Sequence, residues 1–193
     1  LARLLSKNDQ IYLLNSVITI LRELIINALK ANAKRTFFLK TDLDINDESQ
    51  YQKGMEKFKK EIVGDFDSIE ADLKRSDFYV QISFEQASNT IKITVANNSP
   101  ILPVELDRIN YRIQKAIQYN DFSEAYSEIE DDTEGAGLGI VLTILLLKNM
   151  GIDARNYKIE AAGKTTVTSL TIPSVLKANE ITTRVKEHIL NEI

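Results

Sequence analysis

Glu23-Leu24-Ile25-Ile26-Asn27-Ala28-Leu29-Lys30-Ala31 sits within a run, residues 11–35, that is rich in Leu, Ile and Ala and contains neither Gly nor Pro. Such a run predicts one long helix. At about 100° per residue, Asn27, Lys30 and Lys34 fall within roughly 40° of Glu23, and Ser16 and Thr19 extend the same line. Val17, Ile18, Leu21, Leu24, Ile25, Ile26, Ala28 and Leu29 occupy the flanks, so a narrow polar seam runs along an otherwise apolar helix. A seam of this kind either faces solvent or does chemistry. Its residue types suit chemistry: a carboxylate can take a proton, a carboxamide oxygen can ligate a hard cation, and an ammonium can neutralise phosphate.

Outward from this helix, residues 41–50 form a polar connector. Tyr51, Met55, Phe58, Ile62, Phe66, Ile69 and Leu73 then recur every three or four positions. That spacing predicts a helical insertion over 41–76, divided at Gly54 and Gly64 and packed on the outside, its stripe serving the core or a partner helix. Residues 78–84 and 91–95 alternate apolar and polar side chains around a turn at 87–90, which predicts a β-hairpin. Residues 103–118 read as a helix, and the acidic stretch 119–134 as a lid or loop. A strongly apolar helix follows over 138–150, with Gly151 placed for a left-handed cap. Two strands, 156–161 and 166–172, precede an amphipathic C-terminal helix that carries Ile181, Val185 and Ile189 on one side. The order predicts an α+β protein, a two-layer sandwich with a mixed or antiparallel sheet covered by helices on one face, not an alternating βαβ chain. One domain is expected over 1–173, with the insertion at 41–76, a lid over 101–134 and the helix 174–193 behind it.

The composition excludes several jobs. With 193 residues, 44% hydrophobic and 27% charged, the chain matches an ordinary globular protein. A net charge of -4, without a basic cluster interleaved with aromatics, argues against a nucleic-acid partner. The absence of Cys removes disulfides, thiolate zinc sites and cysteine nucleophiles and suits a reducing, cytoplasmic interior. Asn15, Arg22, Glu23 and Asn27 interrupt the most apolar run, so no membrane contact is expected. The first residue, Leu1, carries no signal-peptide pattern behind it, which reads as a piece of a longer protein.

Gly135-Ala136-Gly137-Leu138-Gly139 opens the most apolar helix of the chain. Glycines permit positive φ and close backbone approach, and a helix N-terminus offers unpaired N–H groups and a favourable dipole to an anion such as phosphate. A plain flexible connection is the alternative. A dinucleotide fingerprint fits worse, because the glycines alternate and the preceding segment is acidic, not a strand. Gly163-Lys164-Thr165 is not a P-loop, since Lys158 stands where the first glycine belongs and a strand follows.

Glu23 to Ala31 resembles the N box of the GHKL ATPases, the superfamily that includes histidine kinase catalytic domains, and residues 135–139 resemble its Gly-x-Gly-Leu-Gly motif. The resemblance covers about 17–40 and 78–173. It implies the Bergerat-type ATP-binding fold, with ATP and Mg²⁺ as ligands. Asn27 would hold the metal, Glu23 would act as base or orienter, and Lys30 would contact phosphate. Gly135, Gly137, Leu138 and Gly139 would border the triphosphate, and Thr166 would lie near the base. At the adenine box the family shows Asp-x-Gly-x-Gly, whereas this chain has Asn97-Asn98-Ser99-Pro100. The Asn97 carbonyl oxygen can accept the adenine amine at lower strength, so weakened or relaxed base selectivity is expected, with Ser99 beside it. The single His, His188, reads as a surface residue on the wrong side for a phosphoacceptor. A histidine kinase would therefore phosphorylate a His in a domain upstream or on another protein, with a homodimer expected in the full-length protein. A GHKL ATPase that hydrolyses ATP as a conformational switch, and a degenerate module that binds nucleotide or a partner without turnover, are the alternatives.

Overall fold

The computed structural model describes residues 1–64, 66–129 and 137–174. A short helix α1 (Ala2–Lys7) and a 3-10 turn lead into α2 (Leu14–Lys40), followed by α3 (Glu48–Gly64) and α4 (Phe66–Arg75). The hairpin β1 (Val80–Ala87) and β2 (Thr90–Asn97) comes next, then α5 (Pro103–Gln118), α6 (Phe122–Ile129), α7 (Leu138–Asn149), β3 (Tyr157–Ala162) and β4 (Thr165–Pro173). The strands form one sheet in the order β1-β2-β4-β3, and every neighbouring pair is antiparallel. The fold is thus mixed α and β, with a purely antiparallel sheet among the described residues. Gly135, residues 130–134 of the expected lid, the expected C-terminal stripe and His188 lie outside those residues.

Side chains of β2 alternate strictly, with Ile91, Ile93, Val95 and Asn97 turned inward. Their partners in β4 are Ile172, Leu170, Thr168 and Thr166. The inward face is therefore apolar at one end of the sheet and polar at the other. On the apolar end, Val17, Ile20 and Leu24 of α2 and Val141, Ile144 and Leu147 of α7 complete the core. Fully burying each such side chain contributes about 1.5–3 kcal/mol. The opposite face of the sheet carries exposed Gln81, Glu85, Lys92, Lys158 and Glu160, as expected for a two-layer arrangement. The stretch Ile11–Lys40 meets the length and apolar composition of a membrane-crossing helix, but its buried face packs on this sheet. Gln10 fixes its start by donating from Nε2 to the Pro173 carbonyl at 2.7 Å.

Two expectations need correction. The acidic stretch after residue 118 is not simply a loop, because α6 forms within it and buries Ala125 in the core. Its start is capped by Asp121 Oδ1, which accepts from the N–H groups of Ser123 and Glu124 at 2.8 and 3.0 Å. The stripe of the insertion serves the protein's own packing. Tyr51, Met55 and Phe58 of α3 form a second buried cluster with Ala33, Phe37 and Phe38 on the C-terminal half of α2. Gly54 does not divide the insertion: it is inside α3, where an added Cβ would collide with the Phe38 ring. Helix α3 runs to Gly64 and α4 starts at Phe66.

Candidate functional site

At the polar end of the sheet a cavity of about 750 Å³ opens between α2, the sheet, α5 and the start of α7. Helix α2 supplies Leu24, Asn27, Ala28, Lys30, Ala31, Lys34 and Arg35 to one wall, the one-faced spacing a helix imposes. Asn97, Thr166, Thr168, Tyr157 and Ile159 come from the strands. Gly137 and Ile140 border it at the N-terminus of α7, and Met55, Phe58 and Lys59 close it from the insertion.

Five of the residues singled out from the sequence, Asn27, Lys30, Asn97, Gly137 and Thr166, line this one cavity, although they come from four separate segments of the chain. Glu23 is not in its wall. It lies one helical turn before Asn27, and its carboxylate packs so closely on Gly139 that an added Cβ there would collide with Oε2. Gly137 adopts φ 42°, a left-handed conformation that favours glycine, and its carbonyl accepts the first α7 bond from Ile140 at 3.0 Å. Leu138 packs against the main core. Ser99 is buried behind Asn97 and supports it without facing the cavity.

Three groups that matter here escape the sequence reading. Asn32 is 1% exposed, and about 180° from Glu23 on the wheel, in the middle of the apolar arc. A carboxamide in that arc is itself a signal, since a buried amide must find partners. Asn32 Nδ2 donates to the Tyr79 carbonyl at 3.1 Å, and its Oδ1 accepts from Ser99 Oγ at 2.9 Å and from Asn97 Nδ2 at 3.2 Å. Asn97 Nδ2 also donates to Ser99 Oγ at 2.6 Å, and Thr166 Oγ1 donates to the Ser99 carbonyl at 2.7 Å. Arg35 and Glu105 form the second unforeseen feature. Arg35 grips Glu105 with two nitrogens, at 3.1 and 2.6 Å, while Lys34 Nζ approaches the same carboxylate at 2.8 Å. Burial alone would raise the Glu105 pKa, but the Arg35 hydrogen bonds and the charges of Lys34 and Arg35 outweigh it and hold the carboxyl at about 2. Their sequence separation of seventy residues hides this contact.

The electrostatics of the cavity oppose those of the whole chain. Among the described residues, Lys30, Lys34, Arg35, Lys59, Arg108 and Arg112 line it against a single carboxylate, Glu105, in a protein of net charge -4. A concave wall of this sign concentrates anions. The Asn27 side chain, exposed on α2, offers a hard oxygen ligand at the same wall. Among the described residues no three His, Asp or Glu side chains converge. Asn27 together with oxygens of an anionic ligand and water would make a donor set that suits Mg²⁺. Tyr157 contributes a floor rather than an acid, since burial pushes its phenol up.

No family model matches this chain. It is similar to an uncharacterized protein of Treponema pallidum (strain Nichols), with 32% identity over 171 residues that make up 89% of this chain. The chain spans about a third of that relative's length, 33%.

Proposed function

We propose that this chain is a GHKL-type nucleotide-binding domain of the Bergerat fold, which binds Mg²⁺ and ATP in the cavity between α2 and α5 and serves a protein histidine kinase. The observation that carries this reading is the convergence of Asn27, Lys30, Asn97, Gly137 and Thr166 on one cationic cavity. Asn27 supplies a metal ligand and Lys30 neutralises phosphate charge. Gly137 brings the positive end of the α7 dipole to the cavity edge, where phosphate is favoured. Asn97 and Thr166, paired across β2 and β4, form the floor for the base. When bound, Mg²⁺ would neutralise the negative charge of the triphosphate. Because phosphoryl transfer asks a protein mainly for position and charge, these residues are sufficient on the donor side, and the acceptor His belongs to a neighbouring domain or another protein. The same reading assigns a cytoplasmic site of action, where ATP is supplied.

Titration of the protein with ATP, with and without Mg²⁺, tests the reading directly. Binding should require Mg²⁺, and Asn27→Ala should weaken it by about tenfold or more, the scale of one lost charged contact. Absence of Mg²⁺-dependent binding in the native protein would refute the proposal. Incubation of the full-length protein with ATP should then yield an acid-labile phosphohistidine; ATP consumption without protein labelling would favour the switch ATPase instead.

A further inference from the structure

Asparagine at position 97 could present either end of its carboxamide to a ligand, and the two ends select opposite base edges: Oδ1 accepts from an amine, whereas Nδ2 donates to a carbonyl. The surroundings remove that freedom in three steps. The Tyr79 main-chain carbonyl can only accept, so Asn32 must direct Nδ2 toward it. Asn32 Oδ1 then faces Asn97 and Ser99, and only donors satisfy it. The Asn97 NH₂ is thereby turned inward, 3.2 Å from Asn32 Oδ1 and 2.6 Å from Ser99 Oγ. Asn97 Oδ1 receives no hydrogen bond from the described residues, and Asn97 lines the cavity.

We infer that Asn32 is a positioning residue that fixes Asn97 as a hydrogen-bond acceptor in the base subsite. The site therefore selects a nucleobase that carries an exocyclic amine, as adenine does, over one with an oxo group at the same position, as in hypoxanthine or guanine. The inference rests on the nucleotide reading above and deepens it. It also replaces the relaxed selectivity expected from an Asn in place of Asp, because relaxation requires the carboxamide to turn over. With Asn97 pinned, an oxo base sets two acceptors against each other, and such a mismatch is discriminated strongly where water is excluded.

The competing roles of Asn32 and Ser99 give a discriminating test. Removal of Ser99 Oγ in Ser99→Ala leaves Asn32 Oδ1 pinned by Tyr79 and still facing Asn97 Nδ2, so selectivity should persist. Removal of the Asn32 amide in Asn32→Ala frees the Ser99 hydroxyl to donate or accept, so either face of Asn97 can be satisfied and selectivity should collapse. Dissociation constants of Mg²⁺ complexes of ATP and inosine triphosphate, measured by calorimetry on each protein, provide the readout. The native protein and Ser99→Ala should prefer ATP by about tenfold or more, and Asn32→Ala by no more than about twofold. Equal affinities in the native protein, or a preference unchanged in Asn32→Ala, would overturn the inference while leaving nucleotide binding intact. If Asn32→Ala does not fold, the native and Ser99→Ala preferences still decide, since equality in the native or loss in Ser99→Ala contradicts it. No Mg²⁺-dependent binding of either triphosphate removes the nucleotide reading and this inference with it.

Discussion

A carboxamide and a carboxylate occupy the same volume but not the same hydrogen-bond role, and Asn97 shows why that difference is fixed by its neighbours. Its NH₂ donates to Asn32 Oδ1 and Ser99 Oγ inside a site where the side chain is only 3% exposed. An aspartate there would face the Asn32 oxygen with another oxygen. Rotation of Asn32 to repair that contact would leave the Tyr79 carbonyl without its donor. Asn97→Asp is therefore expected to reduce stability by about 1–3 kcal/mol, the cost of a buried polar group left unpaired, even though Asp is the residue that the resembling GHKL motif carries. Urea unfolding of the two proteins at neutral pH measures the difference, and equal or greater stability of the variant would contradict the network as described. The sequence made Asn97 conspicuous through its place after a strand. Asn32 was equally visible as an amide in an apolar arc, but its partners lie at Tyr79, Asn97 and Ser99, and no helical periodicity reports them.

Among the elements, α5 is tied to α2 by one carboxylate. Glu105 accepts from Lys34 and Arg35 on α2 and from its own Leu102 N–H at 3.0 Å, so it caps α5 while binding it to the neighbouring helix. Arg35 extends the tie by donating to the Pro100 carbonyl at 2.6 Å. At the far end, Lys148 of α7 donates to the Ile117 and Tyr119 carbonyls, which satisfies the C-terminus of α5. The Glu105 carboxyl falls from 4.5 to about 2 on folding, so its contribution is fully present above pH 4.5 and is lost as the pH falls toward 2. A shift of that size corresponds to about 3 kcal/mol. Glu105→Gln should accordingly destabilise the protein at pH 7 by roughly that amount, and the gap to the native protein should narrow steadily between pH 4.5 and pH 2. Denaturant melts across that range check it; a gap independent of pH would show that the carboxylate charge is not what binds the helices. Helix α5 itself was legible to its ends, with Pro103 at its start, while α6 hid behind acidic composition although Asp121 and Glu124 spell an N-terminal cap.

At the scale of the whole molecule, the cavity has walls from the sheet, α2, α5 and the insertion, and the last of these was the least legible. Periodicity announced a helix with an apolar stripe, but a stripe does not say which surface it meets, and Phe37 and Phe38 near the end of α2 are its actual destination. The consequence is that Met55, Phe58 and Lys59 close the cavity, so the insertion belongs to the site. A ligand that contacts every wall stabilises the closed arrangement by mass action, by about 2.7 kcal/mol at a hundredfold excess over Kd. That stabilisation should appear where the walls are. Upon saturation with Mg²⁺ and ATP, amide hydrogen exchange should slow in α3 around Met55–Lys59 as well as in α2 and at the start of α7, whereas Ser88 and Asn89, exposed at the hairpin tip on the other end of the sheet, should be unaffected. Protection confined to α2 and α7, with α3 exchanging as in the free protein, would mean that the ligand sits short of the insertion. The roles of Phe58 and Lys59 would then reduce to packing against the second core cluster, and the affinity of Phe58→Ala for ATP would equal that of the native protein.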